Sequence, residues 1–323
     1  MTATAEQLHD CLETVSGLYQ SALDDRCLDY LAERGISEDS RYRWRIGFAP
    51  NEWSWIPDAS SIGPELLCEA GVCGKSERGY FDRFKGRLIF PIQSGGVIVG
   101  LAGRKVPWIE AFGGKYINSP ETLTFKKSEL LYGLDDAIEQ SQAVGEVIVV
   151  EGQMDVIMAH QHGLTNVVAC MGVAFGEWHI QRLRQLCDSI VLLLDGDEAG
   201  QKRSRKLAES LIEAGANDCS RIATISGGAD PAELVHRGEV RLITEAIEDA
   251  MDPMRFILMG VIRTMDRDNV GQQMELLSEL HKHVRHIKGP TRRTVMSQVS
   301  RVFGLEKRLI EDSFYRFEKS IKR

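Results

Sequence analysis

The sequence has no paired cysteines, no long apolar run and no secretion signal. Its seven cysteines are an odd number and include no C-x-x-C pair, so neither a disulfide framework nor a zinc ribbon is supported. No run of about 18 apolar residues occurs, and the first residues lack the basic start and apolar centre of a secretion signal. We therefore expect a cytoplasmic protein with reduced cysteines, no zinc and no membrane partner.

The chain also lacks net positive charge, but its charges are unevenly distributed. The formal net charge is −8, which by itself argues against a nucleic-acid partner. Between Arg78 and Lys127, however, nine Lys or Arg stand against three acidic residues, a net charge of +6. Basic residues so poorly matched usually contact an anion, although a solubilising face with local ion pairs is the alternative.

Three segments differ in pattern, and the length of 323 residues allows two or three domains. Residues 1–140 mix helical stretches with β-like runs, and Gly95 and Gly96 separate two apolar runs as a hairpin turn does. Residues 145–245 alternate strands and helices, which predicts right-handed βαβ units around a parallel sheet. Residues 250–323 show helical periodicity. We predict an α/β protein with a basic α+β N-terminal subdomain, a central Rossmann-like parallel-sheet subdomain and a C-terminal helical subdomain.

Acidic residues follow three strands of the predicted parallel sheet. Glu151 comes directly after the strand EVIVV, and Asp155 lies four residues further on. Asp195 ends the strand SIVLLLD, Asp197 follows it after one glycine, and Asp230 precedes a proline that can start a helix. Because ligands of open parallel sheets bind at the carboxyl ends of the strands, we expect these acids to converge at one edge.

A cluster of carboxylates is unfavourable unless cations lie among them, because like charges repel. Oxygen ligands suit Mg²⁺, and two such ions about 4 Å apart can hold the attacking and leaving oxygens of a phosphoryl transfer. Each motif by itself is more often a turn or a helix cap. Their order on consecutive crossover units favours a site for two Mg²⁺ or Mn²⁺ ions.

The motifs EGQMD and DGDEAG resemble those of the TOPRIM domain, which DnaG-like primases, type IA and II topoisomerases and some nucleases share. The stretches YLAERGISEDSRYRWRIGFAP, YFDRFKGRLIFPI, VIVGLAGRKV and KYINSPETLTFKKSELLYGLDDA are similar to the N-terminal half of the DnaG-type primase catalytic core, and GGADPAELV is similar to its third acidic motif. The resemblance runs from Tyr30 to Val235, and the helical tail also fits. It implies a DNA primase, a DNA-directed RNA polymerase that makes short RNA primers on single-stranded DNA from ribonucleoside triphosphates by two-metal nucleotidyl transfer.

Carried over position by position, the resemblance implies two sets of site residues. The metal-site acids are Glu151, Asp195, Asp197 and Asp230, with Asp155 supporting and the first three catalytic. The contacts to template or nucleotide phosphates are Arg83, Arg87, Arg104, Lys115, Asn118 and Lys127.

Two positions depart from the family pattern. Its third motif often reads D-P-D, whereas here Ala232 takes the last position and Glu233 follows, which puts one metal contact in doubt. Its first motif commonly reads E-G-Y-M-D, and here Gln153 replaces the tyrosine and leaves the acids intact. Two alternatives therefore stay open: a metal-dependent TOPRIM nuclease, and a non-catalytic accessory that binds single-stranded DNA. A topoisomerase would need a nucleophilic tyrosine in a further domain.

A cellular DnaG-type primase normally also carries an N-terminal zinc-binding domain and a C-terminal helicase-interaction domain, for which we expect no room in this chain. We expect a catalytic core alone, either excised or a minimal stand-alone primase. A replicative helicase or a separate template-recognition protein is the expected partner.

Two further features receive simpler interpretations. The histidines of HKHVRHIK (His281, His283 and His286) lack an adjacent acid or cysteine, so we predict a solvated helix face rather than a metal site. The basic stretch RRTVMSQVSRVFGLEKRLIEDSF could be mistaken for a DNA-reading helix-turn-helix, but most such helix pairs only pack together.

Overall fold

The structure is a computed structural model that describes residues 3–172, 175–194, 198–225 and 231–321. Contacts divide the chain into two compact units, which are built from interleaved parts of the sequence. The division into three segments that the sequence suggests differs from these two units and stays a prediction. The first unit comprises Met1–Val144, Val150–Val173 and Val235–Gly238, and the second comprises Gly145–Val149, Ala174–Leu234 and Glu239–Arg323.

Helices and strands follow one another along the chain as the segment patterns predict. The strands are β1 (Gly47–Ala49), β2 (Cys73–Ser76), β3 (Gly79–Asp82), β4 (Arg87–Ser94), β5 (Val97–Lys105), β6 (Tyr116–Asn118), β7 (Glu146–Val150), β8 (Val167–Ala169), β9 (Ser189–Leu194) and β10 (Ser220–Thr224). The helices are α1 (Ala5–Ser21), α2 (Asp25–Glu33), α3 (Glu38–Arg43), α4 (Trp55–Ala59), α5 (Pro64–Glu69), α6 (Leu134–Val144), α7 (Gln153–Gln161), α8 (Glu177–Arg184), α9 (Glu198–Glu213), α10 (Pro231–His236), α11 (Val240–Glu248), α12 (Pro253–Thr264), α13 (Val270–Val284), α14 (Gly289–Phe303) and α15 (Lys307–Ile321), with a 3₁₀ helix at Lys127–Glu129.

Helix α1 covers the antiparallel sheet of the first unit. The Thr4 hydroxyl accepts a hydrogen bond from the backbone N–H of Gln7, and the Gln7 side chain accepts one from the backbone N–H of Thr4, which closes a capping box. Apolar residues at helical spacing then form one buried stripe that packs against β1 and β5. The stripe consists of Leu8, Leu12, Val15 and Tyr19.

The antiparallel sheet has the strand order β1-β4-β5-β6. The predicted hairpin at Gly95 and Gly96 is confirmed, because these residues join β4 to β5 with φ angles of +64° and +79°. Two positive φ angles in a two-residue turn match the twist of the flanking strands, and glycine adopts them without steric cost. The hairpin joins the two strands that carry Arg87 and Arg104, and the register of these strands shifts between Ile92 and Gln93.

The second sheet has the order β10-β9-β7-β8, and its pairings β7–β9 and β9–β10 are parallel. Val149 pairs with Leu192, and Leu194 pairs with Thr224. Strands β7 and β9 are almost continuously buried, as expected for a parallel sheet covered on both faces. The predicted α/β fold with a Rossmann-like parallel sheet is confirmed.

The C-terminal residues of the second unit are helical, as predicted. Helix α12 packs against α9, α13 and α14, and α15 packs against α13 and α14. Within the described ranges, every helix falls short of the length and apolarity that a membrane span requires.

The solvated face predicted for the histidines of α13 is wrong. His281 is 1% exposed and packs against the rings of Phe314 and Phe317, and His283 is also buried. Burial lowers the pKa of both imidazoles, with nearby glutamates opposing the shift. These histidines are core residues, since helical periodicity alone does not reveal that a later helix covers this side of α13.

Candidate active site

The first acidic motif lies where β7 gives way to α7. Glu151 is the first residue after the strand, and the helix begins two residues later. The Oδ2 atom of Asp155 accepts a hydrogen bond from the backbone N–H of Gly152 at 3.1 Å. This bond holds Asp155 in the first helical turn, where the helix dipole favours a negative charge. Both acids are half-buried.

The other predicted acids follow β9, which pairs with β7, and β10, which pairs with β9. Strands β7, β9 and β10 are adjacent and parallel, so their carboxyl ends lie at the same edge of the sheet. The last described residue of β9 is Leu194, directly before Asp195. Helix α10 begins at Pro231, directly after Asp230. Asp195, Asp197 and Asp230 themselves lie outside the described residues.

Arg104 joins the antiparallel sheet to the start of α7 inside the first unit. Its Nη1 atom donates to the hydroxyl of Tyr116 at 3.1 Å and also contacts the sulfur of Met154. Its Nη2 atom donates to the hydroxyl of Tyr30 at 3.1 Å. The side chain is buried, and its guanidinium lies over both tyrosine rings. The guanidinium is therefore held in one orientation, in contact with Met154, the residue that precedes Asp155 in the sequence.

Tyr116 has a raised pKa within this network. Burial raises the pKa of Tyr116 to about 12, with the Arg104 guanidinium opposing the rise and the carboxylate of Asp155 adding to it. The phenol stays protonated near neutral pH, so it can accept from Arg104 and donate elsewhere. The Arg104 guanidinium thus lowers the pKa of the Tyr116 hydroxyl, whereas the Asp155 carboxylate raises it.

Arg87 takes a structural role that the sequence did not predict. It is 1% exposed, and its guanidinium donates to four backbone carbonyls. Gly103 allows this arrangement, because a Cβ there would lie 2.7 Å from the ring of Phe84 and 3.1 Å from Cδ of Arg87. A direct contact with a phosphate would require these hydrogen bonds to break, and the predicted phosphate contact of Arg87 stays a prediction. The four carbonyls belong to Gly103, Phe112, Gly114 and Lys115.

Asn118 holds the chain segment that follows β8. Its Nδ2 atom donates to the backbone oxygen of Met171 at 3.2 Å, and Met171 has a φ angle of +55°. The Oδ1 atom of Asn118 is buried and has no hydrogen-bond partner within the described part of the chain. A buried amide oxygen without a donor is costly, so a ligand N–H or O–H at this point would be favourable.

The remaining predicted phosphate contacts differ in accessibility. Lys115 is exposed, whereas Arg83 and Lys127 are half-buried. The backbone N–H of Lys127 donates to the carboxylate of Glu121 at 3.1 Å, which holds the 3₁₀ helix against the preceding turn. Arg83 lies near Cys68 and Cys73. Burial raises the pKa of both thiols, and the positive charge of Arg83 opposes this rise. Lys115 is thus the one member of the six-residue set that is exposed.

Sequence reasoning missed Tyr30 and Tyr116, the two partners of Arg104. A signal for Tyr116 was present, because alternation along a strand places it on the same face as the predicted contact Asn118. Tyr30 carried no such signal, since it lies on helix α2 far from β5 in the sequence. Gln153, which takes the place of the tyrosine in the first motif, is buried, and its Nε2 atom has no hydrogen-bond partner among the described residues.

The described acids fit a divalent metal in their chemistry. Glu151 and Asp155 supply carboxylate oxygens, the ligands that Mg²⁺ prefers. Cys170 offers no thiolate, because burial, with a further contribution from Glu151, raises its pKa to about 12. Within the described residues no group of three His, Cys, Asp or Glu could hold a metal ion, and the other predicted ligands lie outside them.

Comparison with known proteins finds a matching family model for each of two consecutive parts of the chain. The family model for the N-terminal domain of the DNA primase catalytic core matches residues 16–138, and a Toprim-like model matches residues 148–235. A DNA primase from Deinococcus radiodurans is 36% identical over 269 residues, which are 81% of this chain and 46% of that protein. A DNA primase from Legionella pneumophila is 31% identical over 306 residues, 93% of this chain and 53% of that protein. The chain thus spans about half the length of the curated relatives it matches.

Solved structures agree over nearly the whole chain. A DNA primase domain from Pseudomonas aeruginosa superposes with a TM-score of 0.85 and 28% identity, covering 95% of this chain and 99% of that domain. A DnaG primase catalytic domain bound to single-stranded DNA superposes with a TM-score of 0.81 and 28% identity, covering 93% of this chain and 96% of that domain. The chain carrying the Arg104–Tyr116 network and the first acidic motif therefore belongs to the family of DnaG-type primase catalytic cores.

Proposed function

We propose that this chain is the catalytic core of a DNA primase and makes short RNA primers on a single-stranded DNA template from ribonucleoside triphosphates. The observation that carries the proposal is the contact of Arg104 with Tyr116 and Met154. Through it, the antiparallel sheet that carries the basic residues meets the helix that carries Asp155. The similarity to primase catalytic cores, one of them bound to single-stranded DNA, supports the same chemistry.

The acids form the metal-binding part of the proposed site. Glu151, Asp155, Asp195, Asp197 and Asp230 would hold two divalent ions, Mg²⁺ or Mn²⁺. Such ions, when bound, neutralise a triphosphate and lower the pKa of the attacking 3′ hydroxyl. Ala232 leaves the third motif with one carboxylate fewer than the family often has, so Asp230 carries that part of the site.

The basic residues position the substrates. Arg83, Lys115 and Lys127 would contact template or nucleotide phosphates. Arg104 is fixed by two tyrosine hydroxyls, so it would bring a preoriented positive charge to the nucleotide beside Asp155. The Oδ1 atom of Asn118, which has no hydrogen-bond partner among the described residues, would accept a hydrogen bond from substrate. Positioning and charge stabilisation supply most of the rate in this class of reaction, and the protein forms no covalent intermediate.

The decisive experiment is a primer-synthesis assay. Purified protein, single-stranded DNA, labelled ribonucleotides and Mg²⁺ or Mn²⁺ should yield short labelled oligonucleotides that disappear when the metal is chelated. The Glu151→Gln variant should make none, whereas Lys206→Ala, a change of an exposed residue on α9, should match the wild type. Adding a replicative helicase or a template-recognition protein should raise the yield and the selectivity of initiation.

Other outcomes would replace the proposal. Shortening of the labelled DNA strand without ribonucleotide incorporation would indicate a TOPRIM-type nuclease. Binding of single-stranded DNA with neither synthesis nor cleavage, with both metals and with candidate partners present, would indicate a non-catalytic accessory protein.

A further inference from the structure

The loop between β5 and β6 carries Phe112, whose side chain is 97% exposed. Such a ring contributes nothing to the core, because it removes almost no apolar area from water. Two neighbours of Phe112 in the loop are packed: Ala111 is buried, and the ring of Trp108 meets that of Tyr30 edge-on with 5.4 Å between the centroids. Phe112 is thus an exposed large apolar side chain on a loop that is anchored to the rest of the unit.

Arg87 holds the backbone of this loop from inside the sheet. Its Nη2 atom donates to the carbonyl of Phe112 at 2.6 Å and to that of Gly114 at 3.1 Å, and its Nη1 atom donates to the carbonyl of Lys115 at 3.3 Å. Between these carbonyls the chain turns at Gly113, which has a φ angle of +90°. An aromatic ring on a fixed backbone loses little conformational entropy when it stacks on a partner.

Two lysines belong to the hydrogen-bonded backbone that carries Phe112. The carbonyls of Phe112 and Lys115 contact the same guanidinium, and the backbone N–H of Lys105 donates to the carbonyl of Lys115 at 2.9 Å. Lys115 is exposed and Lys105 is half-buried, while Glu110 is the one acid between them in the sequence. An exposed aromatic ring beside lysines is the combination that binds single-stranded nucleic acid, with the base stacked and the phosphates paired.

We propose that Phe112 stacks on a base of single-stranded DNA, with Lys115 and Lys105 contacting the adjoining phosphates. A base fits this surface better than a protein partner does, because a protein interface needs a contiguous apolar patch. The other large apolar residues of the loop are buried or half-buried: Val106, Trp108 and Ile109. The inference rests on the proposed function and assigns it a residue outside the acidic and phosphate-binding sets.

The test compares two ligands of equal length and charge: a fluorescent oligothymidylate and an oligomer of abasic residues. Both are titrated by anisotropy with wild type, Phe112→Ala, Phe112→Trp and the control Tyr315→Ala, which removes a 59% exposed ring from α15. Wild type should bind the oligothymidylate more tightly than the abasic oligomer. Phe112→Ala should lose about 5- to 100-fold in affinity for the oligothymidylate and nothing for the abasic oligomer, because stacking needs a base. Phe112→Trp should retain the preference.

The outcomes separate this inference from the proposed function. If Phe112→Ala binds both ligands as the wild type does, or loses affinity for both equally, the stacking role is wrong while primer synthesis is untouched. If the wild type makes primers but does not prefer bases over abasic residues, the stacking role is also wrong. If the wild type neither binds single-stranded DNA nor makes primers, both proposals fail together.

Discussion

Arg104 donates a hydrogen bond to the hydroxyl of Tyr116 at 3.1 Å, across the paired strands β5 and β6. These two residues are also register partners in the antiparallel ladder. The pair therefore fixes a positive charge on the face of the sheet that meets α7. Because Tyr116 is also influenced by the carboxylate of Asp155, a change at Arg104 should affect both the stability and the chemistry of the site.

Replacing Arg104 by Met should lower both stability and primer synthesis. The change leaves the buried hydroxyls of Tyr30 and Tyr116 without their donor, which costs about 1–3 kcal/mol of unfolding free energy. Arg104→Lys keeps the charge but lacks the planar fork that reaches both hydroxyls, so it should recover less than full activity. Urea denaturation and the primer assay measure the two effects. Wild-type behaviour of Arg104→Met in both would contradict the role assigned to this network.

Two substitutions of Asp155 should separate its structural role from its chemical role. Asp155→Asn retains an oxygen that can accept from the N–H of Gly152, so the melting temperature should stay close to that of the wild type. Asp155→Ala loses this acceptor and should be destabilised by about 1 kcal/mol, as for other lost helix caps. Both variants lack the negative charge and should make fewer primers. Full activity of Asp155→Asn would show that the charge is not used.

The affinity for single-stranded DNA should depend strongly on salt. Phosphate contacts release counterions, with a slope of log K against log salt of about −0.7 per phosphate neutralised on a single strand. Lys115→Ala or Lys127→Ala should weaken binding and reduce this slope, whereas the matched control Lys206→Ala should change neither. The measurement is anisotropy over a salt series, with circular dichroism to check the folds. A wild-type slope near zero would mean that the basic residues between Arg78 and Lys127 form only a solvated surface.

Asp82 should make the protein more stable at mildly acidic pH. Its carboxylate is 1% exposed and accepts hydrogen bonds from the hydroxyl of Tyr19 at 2.9 Å and the N–H of Phe84 at 2.8 Å. Burial raises its pKa from 3.8 to about 7, against the opposing effect of these bonds. Up to pH about 7 the folded protein binds this proton, whereas the unfolded chain loses it near pH 4. The stability that this proton contributes is therefore complete at low pH and is lost as the pH rises toward 7.

The size of this effect follows from the pKa difference. Between pH 5.5 and pH 8 the wild type should lose about 2 kcal/mol of unfolding free energy relative to Asp82→Asn, at about 1.4 kcal/mol per pH unit below the folded pKa. Urea unfolding of both proteins at the two pH values gives the difference directly. Parallel changes in the two proteins would mean that Asp82 is ionised throughout this range.

Local pattern was sufficient for the elements and for the position of the first acidic motif. Strand β7 occupies the residues predicted for it, Glu151 follows it, and the hairpin glycines turn where the apolar runs break. These features depend on residues that are close in the sequence, so alternation, turn chemistry and helix starts reveal them. The parallel pairing of β7, β9 and β10 followed from the same spacing.

The sequence by itself determined the order of strands and helices, the family and the residue types available for catalysis. Only the tertiary structure decided which basic residues can meet a ligand. Arg87 and Lys115 look alike in a charge count, yet Arg87 is buried under carbonyls contributed by residues 16 to 28 positions away, while Lys115 is exposed. The same holds for His281, which α15 covers, and for Phe112, which its loop leaves in solvent. The reason is physical: burial and hydrogen-bond partners depend on chain segments distant in sequence, and local periodicity contains no information about them.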